Sequence, residues 1–102
     1  MTDRSPLEDE AVTAFTDGSR VWRREGDALV ASLKLKDFKA ALSFLVAVGL
    51  EAEALDHHPE IHNIYNRVTL TLTTHDSGNR ITALDVALAR KVEALAARFM
   101  PA

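Results

Sequence analysis

The chain has 102 residues, 47% hydrophobic and 26% charged, enough for one domain (residues 1–102) with a modest core and too few for a second. It has no cysteine, which excludes disulfides and thiolate metal sites. Its net charge of −3, with only short basic clusters (Arg20, Arg23, Arg24; Lys34, Lys36, Lys39), argues against nucleic-acid binding, which needs massed Lys and Arg. The start, MTDRSPLEDE, is charged and no run approaches the ~18 apolar residues of a membrane span, so a cytoplasmic protein with no membrane partner is expected.

Ser5-Pro6-Leu7-Glu8 is a capping-box pattern with Pro6 suited to the first helical position, and Leu7, Ala11 and Phe15 then repeat every four residues up to Gly18. A short N-terminal helix is expected. From Val21 to Lys36 the period becomes two. Leu29, Ala31, Leu33 and Leu35 share one face and Val30, Ser32, Lys34 and Lys36 the other, while Gly26-Asp27 separates this run from Val21-Trp22-Arg23, as in a hairpin. Asp37 then caps a helix in which Phe38, Ala41, Leu42, Leu45, Gly49, Ala52 and Leu55 have helical spacing. Phe44, Val46, Val48 and Leu50 are apolar too. One sheet cannot cover such a helix on every side, so a second copy of the chain is expected against it, in a homodimer or homotetramer.

Asp56-His57-His58-Pro59 reads as a turn. After it, Ile64, Asn66, Val68, Leu70 and Leu72 alternate with Tyr65, Arg67, Thr69, Thr71 and Thr73, the pattern of one long central strand, with His75 falling on its threonine face. Asp76-Ser77-Gly78-Asn79 is a turn, and Thr82-Ala83-Leu84-Asp85 is a second capping box, opening a helix with the stripe Leu84, Leu88, Val92, Leu95 and Phe99. The order helix, hairpin, helix, strand, helix is not βαβ alternation. The class expected is α+β: an antiparallel sheet of about four strands with three helices on one face.

Imidazole titrates near neutral pH, so His57, His58 and His75 converging on one pocket make a candidate proton-transfer site. A metal site is not expected. His58 precedes Pro59 and is pushed to extended backbone, where neighbouring side chains point apart and cannot chelate together. No serine or threonine stands in a nucleophile elbow and no glycine loop suits a phosphate. His62 reads as an exposed strand-entry residue.

Asp56-His57-His58-Pro59-Glu60, Asn63-Ile64-Tyr65-Asn66-Arg67-Val68 and Leu72-Thr73-Thr74-His75 together resemble the signature of the pterin-4a-carbinolamine dehydratases, and the similarity extends upstream to Trp22 and downstream through Thr82 and Asp85. The resemblance implies a lyase that removes water from 4a-hydroxytetrahydrobiopterin, or a related pterin, to give quinonoid dihydropterin in cofactor recycling. It implies no metal or organic cofactor. It also implies acid/base roles for His57 and His75, pterin binding by His58, a pocket-supporting role for Asp85, and an aromatic, Trp22, near the pocket. Ile61 departs from the tryptophan common after the His-His-Pro-acidic run, and the segment from His75 to Asp85 is one residue longer than usual. The alternative within this resemblance is a binding role, as dimerisation partner of a transcription factor or as assembly factor for a carboxylase.

Overall fold

The computed structural model describes residues 4–100; Met1-Thr2-Asp3, part of the charged start read above, and Pro101-Ala102 lie outside them. The elements are α1 (Asp9–Asp17), β1 (Trp22–Glu25), β2 (Ala28–Lys34), α2 (Phe38–Leu55), β3 (Glu60–Ile64), β4 (Arg67–Leu72), a 3-10 turn (His75–Ser77) and α3 (Ala83–Phe99). The strands form one antiparallel sheet in the order β1-β2-β4-β3, so the fold is α+β as expected.

Register follows from the apolar alternation. Leu29, Ala31 and Leu33 stand opposite Leu72, Leu70 and Val68, so all six side chains fall on one face. They share a single buried cluster with Val12 and Phe15 of α1, Phe44 and Val48 of α2, and Leu88 and Val92 of α3. The intervening rungs, Ser32 with Thr69 and Lys34 with Arg67, face away from the helices. The first hairpin turns on Gly26-Asp27, where Gly26 has φ 61, a conformation that costs glycine little.

Four expectations need correction. The Ser5–Glu8 capping box does not form: Pro6 pairs with Thr82, Leu7 N–H donates to Ile81 O at 2.9 Å, and the helix starts at Asp9 behind an N-cap Glu8 that makes no side-chain bond. Tertiary pairing has taken the backbone that a local cap would use. One turn later Val12 joins Phe15 inside while Ala11 is exposed. The long strand is two strands. Tyr65-Asn66 is a two-residue turn between Ile64 and Arg67, with Tyr65 at φ 50 and Asn63 Nδ2 donating to Tyr65 O and Arg67 O. Such a turn inverts the strand's parity, so residues 64 and 67 share a face; it is masked in the sequence because the outward residue, Ile64, is itself apolar and falls in phase with Val68, and no glycine marks the turn. Pairing with Arg67 puts Ile64 on the outer face, not with Val68.

In α2 the buried residues are Ala41, Phe44, Val48 and Ala52, so the inward stripe is displaced from the one expected. Asp37 Oδ1 accepts from Ala40 N at 2.8 Å, as a cap should. Phe38, Leu42, Val46 and Leu50, spaced by four, point outward, and Leu50 is 69% exposed. At the start of α3 both halves of the Thr82–Asp85 box are made: Leu84 N–H donates to Thr82 Oγ1 (3.2 Å) and Thr82 N–H to Asp85 Oδ2 (2.9 Å).

Candidate active site

The end of α2 aims the first histidine. Asp56 takes the left-handed conformation at φ 51, Asp56 N–H donates to Glu53 O (3.1 Å) and His57 N–H to Ala52 O (3.0 Å). This is the Schellman pair of bonds, usually closed by glycine and here by aspartate, one of the few residues that tolerate left-handed backbone. The chain reverses there and His57 enters the interior, 7% exposed, with Nε2 2.5 Å from Asp85 Oδ1.

Asp85 is fully buried in the first turn of α3, where the aligned peptide dipoles favour negative charge. Its Oδ2 accepts from Thr82 N at 2.9 Å and from Thr74 Oγ1 at 2.7 Å. Thr74 Oγ1 lies 2.8 Å from Thr82 Oγ1, which itself accepts from Leu84 N. Since the two amides can only donate, a consistent set of hydroxyl protons runs from Thr82 to Thr74 to the carboxylate. No buried side-chain N or O among the described residues lacks a partner. An ionised Asp85 therefore takes the Nε2 proton of His57 as its third hydrogen bond, and in the neutral ring this leaves Nδ1 as a bare acceptor.

His58 diverges from His57. It is exposed, and its Nε2 lies 2.8 Å from Glu53 Oε1. His75 opens the 3-10 turn and is exposed, so the strand parity that placed it on the threonine face does not reach it. That turn is closed by Gly78 (φ 71) and Asn79 (φ 60) and is tied at its base by Thr74 N–H to Arg80 O, 2.9 Å.

The three histidines share one cavity of about 210 Å³, lined by Arg4, Asp56, His57, His58, Thr73, His75 and Asp76. Asp85 is outside that lining and reaches the cavity through His57. Trp22 is not there: it is buried in the core and its Nε1–H donates to Ala89 O at 2.9 Å. His62 sits in β3, exposed and opposite Thr69. Sequence reasoning missed Arg4 and Asp76, which pair at 3.3 Å while Ser77 Oγ donates to Arg4 O. Nothing local marks them, since pairing of the N-terminal segment with residues 81 and 82 is what brings Arg4 over the turn. A larger cavity, about 730 Å³, has no histidine and shares no lining residue with this one, so size does not mark the chemistry. Among the described residues no cluster of three or more His, Asp or Glu is placed to hold a metal ion.

Two imidazoles and a buried carboxylate behind one of them are a constellation for moving protons. The sequence model of pterin 4 alpha carbinolamine dehydratase matches residues 5–95. The chain belongs to that family. Relatives that carry pterin-4-alpha-carbinolamine dehydratase as a provisional name include one from Opitutus terrae, 51% identical over 72 residues, covering 71% of this chain and 74% of the relative. Another, from Brucella ovis, is 48% identical over 87 residues, 85% of this chain and 87% of its own. Among solved structures, a transcriptional coactivator/pterin dehydratase from Brucella melitensis superposes with TM-score 0.84 at 40% identity, over 90% of this chain and 99% of that one. A pterin dehydratase-like protein described as a RuBisCO assembly factor in the alpha-carboxysome gives TM-score 0.64 at 26% identity, over 76% and 90%. Of these two structures, one carries a coactivator/dehydratase name and the other is described as an assembly factor. No helix among the described residues is long and apolar enough to cross a membrane.

Proposed function

We propose that this dehydratase-family chain is a working lyase of the cytoplasm, converting 4a-hydroxytetrahydrobiopterin or a closely related 4a-hydroxy pterin to quinonoid dihydropterin and water, and so recycling the pterin. The observation that carries this reading is the buried His57–Asp85 pair opening into a cavity shared with His58 and His75.

In the reaction the C4a–O bond breaks, the hydroxyl takes a proton and leaves as water, N5 gives up its proton, and the N–H electron pair becomes the C4a=N5 bond. The step is redox-neutral and calls on no cofactor. It needs one acid and one base, and His57 and His75 fill those roles, each contributing on the order of 10²–10⁴ in rate. His58, braced by Glu53, binds the pterin and orients its hydroxyl. Asp85 is a positioning residue, fixing the tautomer and tilt of His57. Purified protein is expected to accelerate the decay of the 4a-hydroxy pterin above its spontaneous rate; a rate equal to that of buffer would overturn the proposal.

The likeness to a protein described as a RuBisCO assembly factor supports a second reading, a binding or assembly role without catalysis. Stable co-purification with a large partner, together with zero turnover, would select it. For either role the outward stripe of α2 supports self-association, because Phe38, Leu42, Val46 and Leu50 form an exposed apolar ridge that nothing among the described residues covers. Light scattering at micromolar concentration is expected to give the mass of a dimer or tetramer of the 11.2 kDa chain, and Leu50→Glu to shift it toward monomer. A monomer mass for the parent contradicts this.

A further inference from the structure

The larger cavity carries a site of its own. It lies between the end of α1 and the outer side of α3, with Phe15, Val21, Ala94, Ala97 and Met100 among its lining, and its volume of about 730 Å³ falls within the range of small-molecule pockets. Two arginines from separate elements line it: Arg20 from the loop before β1 and Arg90 from α3. Among the described residues neither has an ion-pair partner. Arg90 instead lies over the ring of Phe15, its Cζ 5.1 Å from the ring centroid, a cation–π contact that uses none of its N–H donors in an ion pair.

The cavity's one carboxylate is already engaged. Ser19 Oγ–H donates to Glu93 Oε1, and Ser19 Oγ in turn accepts from Val21 N (3.1 Å) and Trp22 N (2.9 Å), so Glu93 holds the loop that carries Arg20. What remains is an apolar floor beneath two uncommitted cations. A guanidinium fork matches a carboxylate in plane and in spacing, and the floor takes an aliphatic or aryl body. We infer that this cavity is a second binding site, independent of the histidine cavity, for a small carboxylate with an apolar body.

The test is titration of the full chain with octanoate, followed by ¹⁵N–¹H NMR, with 1-octanol as the neutral control. Saturable shifts are expected at Ser19–Val21 and along Arg90–Ala97, with octanol binding roughly tenfold or more weakly, the scale of a lost charge-assisted hydrogen bond. Arg90→Gln and Arg20→Gln should each weaken octanoate to a similar degree, while Arg90→Lys, which keeps the charge and loses the fork, falls between. The dehydration rate of Arg90→Gln should equal the parent's. The inference is overturned if octanol binds as tightly as octanoate, if the Gln variants bind unchanged, if no shift saturates at millimolar octanoate, or if the shifts map to the outward stripe of α2.

Discussion

Replacing His75 by alanine is expected to lower the dehydration rate constant by on the order of 10²–10⁴ while leaving the fold untouched. His75 is exposed at the head of a turn whose own bonds are backbone bonds, so its removal should change stability by no more than about 0.5 kcal/mol. The same substitution at His57 should lower the rate by a comparable factor, but it also strips a hydrogen bond from the buried Asp85 carboxylate and should cost about 1–3 kcal/mol of stability. Thermal denaturation beside the rate assay separates the two effects. Because both rings serve one elimination, the double variant should be far less impaired than the product of the single losses. Parent-like rates in both single variants would remove these histidines from the mechanism.

Asp85→Asn is expected to fold and to lose most of the activity. The amide oxygen can keep the place of Oδ2 and go on accepting from Thr82 N and Thr74 Oγ1. Its NH₂ then occupies the place of Oδ1 and can only donate, so His57 Nε2 must accept and the ring proton is driven to Nδ1. The face of the imidazole turned from the aspartate would then carry a proton where the parent has a lone pair. A wrong tautomer in an otherwise intact site costs about 10⁴ in a serine protease triad, and a loss on the order of 10²–10⁴ is expected here. Imidazole ¹⁵N shifts of His57 give the readout that a merely structural role would not move: the protonated nitrogen should switch from Nε2 in the parent to Nδ1 in the variant. An unchanged tautomer with unchanged rate would leave Asp85 as a helix cap and nothing more.

What could be read from the chain depended on whether the deciding contacts were local. The Thr82–Asp85 cap lies within four residues, and the sequence states it completely; the same carboxylate's bond to His57 joins residues 28 apart and follows only from the packing of α3 beside the end of α2. The resemblance named His57, His58, His75 and Asp85, but it could not say that Asp85 touches the site through His57 alone. Core alternation in β2 and β4 was legible because one face is fully buried, whereas the Tyr65-Asn66 turn was hidden by an outward apolar residue, Ile64, that falls in phase with Val68. The Ser5–Glu8 pattern misled for the opposite reason: a sound local motif yielded to a backbone pairing with Ile81 and Thr82. Arg4, Asp76 and the core position of Trp22 had no sequence mark at all.

The most direct measurement is a crystal structure of the complex with 7,8-dihydrobiopterin, a pterin that lacks the reacting hydroxyl. The expected result places the C4a–N5 edge of the ring system in the cavity, with a nitrogen of His57 and one of His75 within about 3.2 Å of that edge or one water away, and with His57 Nε2 still on Asp85. A pterin bound elsewhere on the chain, or seated in the cavity with both rings turned from C4a and N5, would contradict the proposed chemistry.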